Sequence, residues 1–311
     1  MNKMTDRKVV LVTQKTRLQE LIRRHNTVGQ AQFYVEHHGG DFNDYLEEDR
    51  LYRGAVQCAS SFLEQYGRLQ IVDRTLIPGF LFGESDLVVA VGRDGLVANT
   101  LKYLTVQKLI GVNPDPNRWD GILLPFEPAD LPRIVPETDR GLRRVRSVTL
   151  AEARLNDGQT LCGVNDIFIG QRTHASARYR LEASGRAESQ SSSGVIVSTG
   201  LGSTGWFKSV MAGVSGIDSA RGLHREPSGP VSFPWESRFL YYVVREPYPS
   251  KSTGASLVFG KIDESHPIRI TSNMPENGVI FSDGMEQDCL EFNSGAIVTV
   301  GISGRIGNLV V

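Results

Sequence analysis

The first 112 residues alternate between short apolar runs and amphipathic segments, and this alternation constrains the fold more than any other feature of the chain. The runs are rich in β-branched and aliphatic residues, which is typical of strands buried on both faces. They cover residues 9–12, 69–72, 87–91 and 109–112. Apolar residues at helical spacing predict helices over residues 17–25, 47–66 and 96–104. Strands that alternate with helices predict a parallel sheet covered on both sides.

After residue 136 the pattern changes to short, closely spaced strand-like segments joined by turn dipeptides such as Asp157-Gly158 and Asp283-Gly284. The predicted strands cover residues 145–155, 161–169, 177–183, 195–199, 239–244, 256–259, 268–272, 279–282 and 296–302. We interpret this part as an antiparallel β-rich domain, and we interpret residues 216–230 as a surface loop. The predicted boundaries are 1–136 for an α/β nucleotide-binding domain and 137–311 for the β-rich domain. A return of the chain end to the first domain stays open.

Charge and composition narrow the class of protein. The formal net charge of −1 over 311 residues gives no basic excess that would draw the chain to nucleic acid or to an anionic membrane. The three cysteines (Cys58, Cys162 and Cys289) are far apart and form no C-x-x-C pair, which favours reduced thiols. No apolar stretch reaches the roughly 20 residues of a membrane helix. We therefore expect a cytoplasmic protein.

The sharpest motif is a turn at residues 92–95, where the buried run of residues 87–91 leads directly into Gly92, Arg93, Asp94 and Gly95 before a helix. Glycine permits close approach of a ligand to the backbone, and the N–H groups at the start of a helix favour an anion. Asp94 would lie at the carboxyl end of a parallel strand, where open α/β sheets bind their ligands. Its carboxylate is suited to accept a proton from a hydroxyl or to help hold Mg²⁺. The alternative is an ordinary strand–helix turn.

A second turn follows the apolar run of residues 195–197. It contains three glycines within residues 200–205, and hydroxyl side chains lie close to them. The hydroxyl residues are Ser198, Thr199, Ser203 and Thr204. Backbone amides and hydroxyls together suit phosphate or ribose oxygens. Alternatively, Ser203 or Thr204 caps the helical segment that extends to about residue 212. Trp206 either stacks on a nucleobase or packs in the core, and core packing is the commoner use of tryptophan.

A third feature is the polar pair Asn165-Asp166, which interrupts an apolar segment. Taken alone, such a pair indicates a strand edge or a bulge. In this context its donor and acceptor groups also suit ribose hydroxyls or an adenine amino edge. His37 and His38 lack partners at metal-ligand spacing, so we expect no zinc site.

These motifs resemble those of the NAD kinase superfamily, which also includes lipid kinases. Residues 92–95 resemble its GGDG turn, residues 165–166 its Asn-acid pair, and residues 198–206 its S-T-P-T-G-S-T-A-Y loop. Residues 281–284 resemble its late V-D-G turn. The similarity is greatest to the mitochondrial-type NAD kinases and their bacterial relatives. Their counterparts cover residues 111–116, 166–170, 244–247 and 291–297.

The resemblance implies an NAD kinase-like fold and a kinase that transfers the γ-phosphoryl of ATP to the 2′-hydroxyl of NAD(H) in a groove between two domains. Asp94 would be the general base. Nucleotide and phosphate contacts would come from Gly92, Arg93, Gly95, Thr199, Gly202, Ser203 and Thr204. Contacts to NAD would come from Asn165, Asp166, Ser193, Trp206 and Asp283. Mg²⁺ would enter with ATP, with no metal site made by the protein alone, and a homodimer or larger homo-oligomer is expected by analogy.

One position departs from the family pattern, because Arg93 replaces its second glycine. An arginine there would either clash with a phosphate or bind one through two hydrogen bonds. Two alternatives to an NAD kinase follow. One is a kinase of the same fold that acts on a sugar or lipid hydroxyl. The other is a nucleotide-binding sensor in which Arg93 has ended phosphoryl transfer.

Overall fold

The computed structural model describes residues 3–223 and 232–311. The chain forms two compact units, one made of residues 1–146 together with 308–311 and the other of residues 147–307. Unit 1 denotes the first of these and unit 2 the second.

Within the residues that the structure describes, unit 1 contains four short parallel strands and five α-helices. Its elements are β1 (Lys8–Thr13), α1 (Arg17–His25), α2 (Val28–His37), α3 (Phe42–Tyr66), β2 (Arg68–Asp73), β3 (Leu87–Val91), α4 (Asp94–Leu101), β4 (Lys108–Val112) and α5 (Leu131–Asp139). The strand order is β2-β1-β3-β4, and all neighbouring pairs are parallel. The chain end joins the sheet beside β4, where Asn308 pairs with Lys108 in parallel. The predicted parallel sheet of the N-terminal half is therefore confirmed.

Local chemistry explains where the helices of unit 1 begin. Thr16 and Gln19 form a reciprocal capping box at the start of α1. The Asp41 carboxylate accepts the N–H of Asn43 and caps α3. Every residue of β3 is buried, as expected for a strand covered on both faces. The strands pack against α3 and α5 in one apolar cluster, which includes Val89, Ile110, Leu63 and Ile134.

In its described residues, unit 2 is built from antiparallel strands and one α-helix. Its elements are β5 (Val145–Leu155), β6 (Thr160–Gly163), β7 (Asp166–Gln171), β8 (Ala177–Ala183), β9 (Arg186–Ser192), β10 (Val195–Ser198), α6 (Trp206–Ala220), β11 (Leu240–Val244), β12 (Phe259–Ile262), β13 (Ile268–Ser272), β14 (Gly278–Ser282), β15 (Met285–Glu291) and β16 (Ile297–Val310). One six-stranded sheet has the order β12-β11-β10-β7-β14-β15. The other strands pair in the order β16-β13-β8-β9, with β5 beside β16 and β6.

A shared apolar core holds the strands of unit 2 together. It contains Ile167 and Val197 from the six-stranded sheet and Leu181, Ile270 and Val298 from the other group of strands. The opposite face of the six-stranded sheet packs against the first turns of α6. The prediction of an antiparallel β-rich C-terminal half is confirmed.

Several sequence predictions need correction. The segment 161–169 is two strands rather than one, with Val164 and Asn165 between them. Residues 216–220 belong to α6 rather than to a loop, and residues 224–230 of that predicted loop lie outside the described residues. The helix ends where Gly222 adopts a φ of 73°, a left-handed conformation that favours glycine.

Four elements were not predicted, namely α2, α5, β9 and β15. The sequences of α2, β9 and β15 lack an apolar stripe, whereas α5 buries Leu131, Ile134 and Val135. The polar strand β9 forms through its hairpin with β8, where Ser184 and Gly185 both have positive φ. In the described part of the chain, no helix combines the length and the hydropathy that a membrane span requires.

Two glycine-to-alanine substitutions test the packing of unit 1. A Cβ on Gly111 in β4 would lie 2.1 Å from the backbone oxygen of Leu123, whereas a Cβ on Gly54 in α3 would meet nothing within 4 Å. We expect Gly111→Ala to lower the free energy of unfolding by about 1–3 kcal/mol through overpacking. We expect Gly54→Ala to raise it by about 0.5–1 kcal/mol through helix propensity. Urea unfolding measures the free energy of unfolding of both variants. An equal change in the two variants would contradict the close approach of β4 to Leu123.

Candidate functional site

The two glycines of the turn after β3 differ in the space around them. A Cβ on Gly92 would lie 2.8 Å from Leu96 Cδ2 and 3.3 Å from the amide of Gln14, so this position has no room for a side chain. Gly95 is exposed and has nothing within 4 Å of a hypothetical Cβ. Gly92 is therefore required by packing, whereas Gly95 leaves open space at the start of α4.

Asp94 is the first residue of α4, and its half-buried carboxylate is held on one side. Its Oδ1 accepts the backbone N–H of Leu123 at 2.7 Å. Its Oδ2 forms no hydrogen bond or ion pair within the described residues. The result is an oriented carboxylate with one oxygen free, which is the arrangement that a proton acceptor needs.

Arg93 occupies its position without backbone strain. Its φ of −107° and ψ of 165° are extended values that any residue adopts, so the conformation does not require glycine. Its guanidinium lies 5.0 Å from the centre of the Trp119 ring, in a cation–π contact. Arginine at position 93 is therefore compatible with an intact turn.

In unit 2, Asp283 holds the polar pair Asn165-Asp166 in place. Its carboxylate accepts backbone N–H groups from Val164 at 3.0 Å, Asn165 at 2.6 Å and Asp166 at 3.3 Å. Its own N–H donates to the carbonyl of Asp166 at 3.1 Å. Asp283 has a φ of 54°, a conformation that aspartate tolerates better than most residues. The carboxylate of Asp283 thus stabilises the turn.

Asp166 is the first residue of β7 and lies opposite Ser198 of β10 in the antiparallel pairing of the two strands. Its residue surface is 8% exposed, and its carboxylate forms no hydrogen bond within the described residues. Burial, and then the nearby charge of Asp283, raises the pKa of Asp166 to about 7. At neutral pH this side chain therefore exists in both protonation states, and it can donate or accept a hydrogen bond.

The hydroxyls of the loop at residues 199–204 are mostly engaged inside the protein. The buried Thr199 donates to the carbonyl of Val164 at 2.5 Å and accepts the N–H of Gly202 at 3.2 Å. The buried Ser203 donates to the carbonyl of Gly200 at 2.7 Å and accepts the N–H of Phe233 at 3.2 Å. Both side chains hold the loop in shape, so any ligand contact there would come from its backbone or from the exposed Thr204.

The same loop packs directly on the turn that contains Asn165. A Cβ on Gly202 would lie 1.9 Å from the carbonyl oxygen of Asn165, so only glycine permits this approach. Neither Ser203 nor Thr204 caps the following helix, because the N-cap of α6 is Gly205. The structure thus brings Asn165, Asp166, Thr199, Gly202 and Asp283 together.

Trp206 and Ser193 make their contacts with residues outside that cluster. The Trp206 ring stacks on Phe168 with 5.6 Å between ring centres, and the guanidinium of Arg245 lies 5.2 Å from the centre of the Trp206 ring. Trp206 therefore packs against the sheet as part of the apolar cluster under α6. Ser193 precedes β10, at the opposite end of the strand from Ser198, and its N–H donates to Arg245.

Sequence reasoning missed three contributors in unit 1. They are the backbone N–H of Leu123, Trp119 beneath Arg93, and Lys15, which lines a crevice with Gly92 and Arg93. Lys15 is the second residue after β1, so its place at the carboxyl end of a parallel strand was a usable signal. Nothing in the sequence marks Leu123 or Trp119.

In the described ranges, no group of three or more His, Cys, Asp or Glu side chains is placed to hold a metal ion.

Comparisons with known proteins gave matches at the level of structure. No protein-family model matches the chain, and no curated protein matches it significantly in sequence. The crystal structure of yeast NADH kinase complexed with NADH matches 99% of this chain and 84% of its own, with a TM-score of 0.60 and 15% identity. An NAD kinase from Archaeoglobus fulgidus in complex with ATP matches 97% of this chain and 92% of its own, with a TM-score of 0.56 and 17% identity.

The chain has the NAD kinase fold. The fold implied by the motif resemblance is thereby confirmed over nearly the whole length of the chain. Within the NAD kinase fold, the predicted turns lie in both units, with the Gly92–Gly95 turn in unit 1 and the Asn165 cluster in unit 2.

The raised pKa of Asp166 predicts a pH-dependent stability effect. The folded-state pKa of about 7 lies above the ordinary value of 3.8, so ionisation costs folding free energy as the pH rises between these values. We expect Asp166→Asn to raise the melting temperature relative to the native chain, and to raise it more at pH 8 than at pH 5. The exposed Asp120→Asn is the matched control. If the gain in melting temperature of Asp166→Asn does not grow with pH, the raised pKa of Asp166 is contradicted.

Proposed function

We propose that the chain is a kinase that transfers the γ-phosphoryl of ATP to the 2′-hydroxyl of NAD(H). The observation that carries the proposal is the Asp94 carboxylate, fixed through one oxygen by Leu123 N–H and free at the other. It stands at the carboxyl end of β3, the edge at which parallel sheets bind ligands. Phosphoryl transfer depends mainly on positioning and charge neutralisation, so one oriented base suffices from the protein.

The roles follow from the placement of each group. Asp94 would accept the proton of the ribose hydroxyl as that oxygen attacks the γ-phosphorus, while the bond from the γ-phosphorus to the β–γ bridging oxygen breaks and ADP leaves. The open backbone at Gly95 would admit the phosphates of ATP, since no side chain blocks the start of α4. Mg²⁺ would enter bound to ATP, held mainly by phosphate oxygens as this ion commonly is.

Unit 2 would bind the acceptor through the turn at Asn165 and Asp166. Asp283 holds this turn by its backbone, which leaves the Asn165 and Asp166 side chains available for ribose or amide groups. Because the pKa of Asp166 is raised to about 7, its side chain can accept a hydrogen bond from a ribose hydroxyl or donate one to an amide carbonyl. The NAD(H) and ATP ligands of the structurally similar kinases support these choices of substrate. We further expect the enzyme to act in the cytoplasm as a homo-oligomer.

The decisive assay is formation of NADP(H) by the purified 311-residue chain with ATP and Mg²⁺, followed by chromatography of the products. We expect Asp94→Asn to lower kcat by about 10²–10⁴-fold, since a positioned general base contributes that much. The control is Asp157→Asn, because Asp157 lies in an exposed hairpin turn in which asparagine is equally suited.

Two outcomes would contradict the proposal in different ways. Full activity of Asp94→Asn would remove Asp94 from the role of base. ATP binding by the native chain without any NADP(H) product would favour the sensor alternative, and transfer to a sugar or lipid hydroxyl instead would favour the other kinase class.

A further inference from the structure

A cavity of about 490 Å³ lies on the helical hairpin formed by α1 and α2 in unit 1. All of its lining residues fall within residues 24–38, and none of them belongs to the candidate functional site. Its volume is within the range of small-molecule sites, which is roughly 300–1,000 Å³. We call it the hairpin cavity.

The hairpin is held in shape by its caps and by a small core. The hydroxyl of Thr27 accepts the N–H of Gln30 at 3.2 Å and caps α2. Asn26, the C-cap of α1, has a φ of 68°, a conformation that asparagine tolerates better than most residues. An apolar cluster joins α1 and α2 to the start of α3 and contains Leu18, Ala31, Val35 and Phe42. The wall of the hairpin cavity is therefore preformed.

Stacked aromatic rings line the hairpin cavity along α2. The Tyr34 ring contacts the rings of His25 and His38, with 4.5 Å between ring centres in each pair. The Phe33 ring stacks on His37 with 5.4 Å between ring centres. Phe33 nevertheless stays 69% exposed. An exposed aromatic ring at the wall of a cavity offers a stacking surface for a planar ring of a ligand.

The arginine of the cavity wall has no acidic partner. Within residues 3–223 and 232–311, Arg24 forms no hydrogen bond or ion pair. The carboxylates of α1 and α2 lie outside the cavity wall, since Glu20 pairs with Arg23 at 2.9 Å and Glu36 accepts the side-chain amide of Gln32 at 2.8 Å. The charge of Arg24 therefore favours an anionic group on the ligand.

Two other polar groups of the wall lack partners in the described part of the chain. The N–H of Gly29, in the first turn of α2, donates to no protein group, and a Cβ on Gly29 would meet nothing within 4 Å. A ligand can therefore approach this backbone, and N–H groups at the start of a helix favour an anion. The Nε2 atom of His25 is buried and forms no hydrogen bond. These groups line the same cavity as Arg24.

We propose that the hairpin cavity binds a planar aromatic ring that carries a phosphate group. The ring stacks on Phe33, because aromatic side chains stack on planar rings of many kinds. The phosphate binds to Arg24 through charge-assisted hydrogen bonds and to the first turn of α2. The site shares no residue with the turns at residues 92–95 and 165–166, so the inference does not depend on the kinase proposal.

Nuclear magnetic resonance of the histidine rings in the 311-residue chain locates the ligand, with AMP as the first probe. The resonances are assigned by single substitutions to glutamine. We expect AMP to shift the signals of His25, His37 and His38, because these rings line the cavity. We expect the signals of His174 and His266, which lie in unit 2, to stay in place. This pattern separates the hairpin cavity from any nucleotide bound at the candidate functional site.

The dissociation constant is read from the same histidine signals in variants of the wall. We expect Phe33→Ala to weaken AMP binding by about 10–100-fold through lost stacking. We expect Arg24→Gln to weaken it by about 10–100-fold through a lost charge-assisted contact. The matched controls are Val28→Ala and Arg23→Gln, because both residues are exposed on the same two helices and neither lines the cavity.

Three further probes separate the chemistry that the site recognises. 1-Naphthyl phosphate carries an aromatic ring without the polar edges of a nucleobase. If it shifts the three signals as AMP does, the site accepts aromatic phosphates in general, and if only AMP does so, the site selects a nucleotide. Adenosine and inorganic phosphate each carry one half of the predicted ligand, so we expect each to bind at least about 10-fold more weakly than AMP.

Three results would overturn the hairpin site. The first is that neither AMP nor 1-naphthyl phosphate shifts the signals of His25, His37 and His38. The second is that Phe33→Ala and Arg24→Gln bind AMP as tightly as the native chain does. The third is that adenosine or inorganic phosphate binds as tightly as AMP, since the ring and the charge would then not be recognised together. Formation of NADP(H) tests the kinase proposal alone and changes none of these results.

Discussion

The structure depends on backbone segments that approach one another where no side chain intervenes. Gly111 lets β4 pass against the carbonyl of Leu123, and Gly202 lets its loop rest on the carbonyl of Asn165. Hypothetical Cβ atoms at these positions would lie 2.1 and 1.9 Å from those oxygens, well inside any tolerated contact. The first approach presents the Leu123 N–H to Asp94, and the second fixes the loop on the Asn165 turn. The candidate residues of each unit therefore depend on a glycine at a close backbone contact.

Three aspartates near these contacts are used in three different ways. Asp94 keeps one oxygen free because a single N–H holds the other. Asp283 accepts several backbone N–H groups and serves as a structural anchor. The carboxylate of Asp166 is buried beside that anchor, and burial, followed by the charge of Asp283, raises its pKa to about 7. Their different environments, rather than their residue type, separate the proposed base Asp94 from the structural anchor Asp283 and the buried acid Asp166.

The amino-acid pattern predicted elements best where one face or both faces are buried. The runs that became β1, β3 and β4 were found because continuous apolar strands are distinctive in a parallel sheet. The polar strand β9 was missed because its pairing with β8 comes from a hairpin turn rather than from an apolar face. The end of α6 was misplaced because glycine and serine at exposed positions read as loop, although the helix continues through them.

Motif order alone determined the turns at residues 92–95, 165–166, 199–205 and 283–284, together with the fold that they imply. Tertiary structure alone decided what each residue in those turns does. It assigned the Thr199 and Ser203 hydroxyls to loop shaping, set Asp283 beneath a turn, and placed Trp119 under Arg93. The physical reason is that glycine spacing and apolar runs are local properties, whereas the partner of a hydroxyl, carboxylate or guanidinium comes from residues distant in the chain.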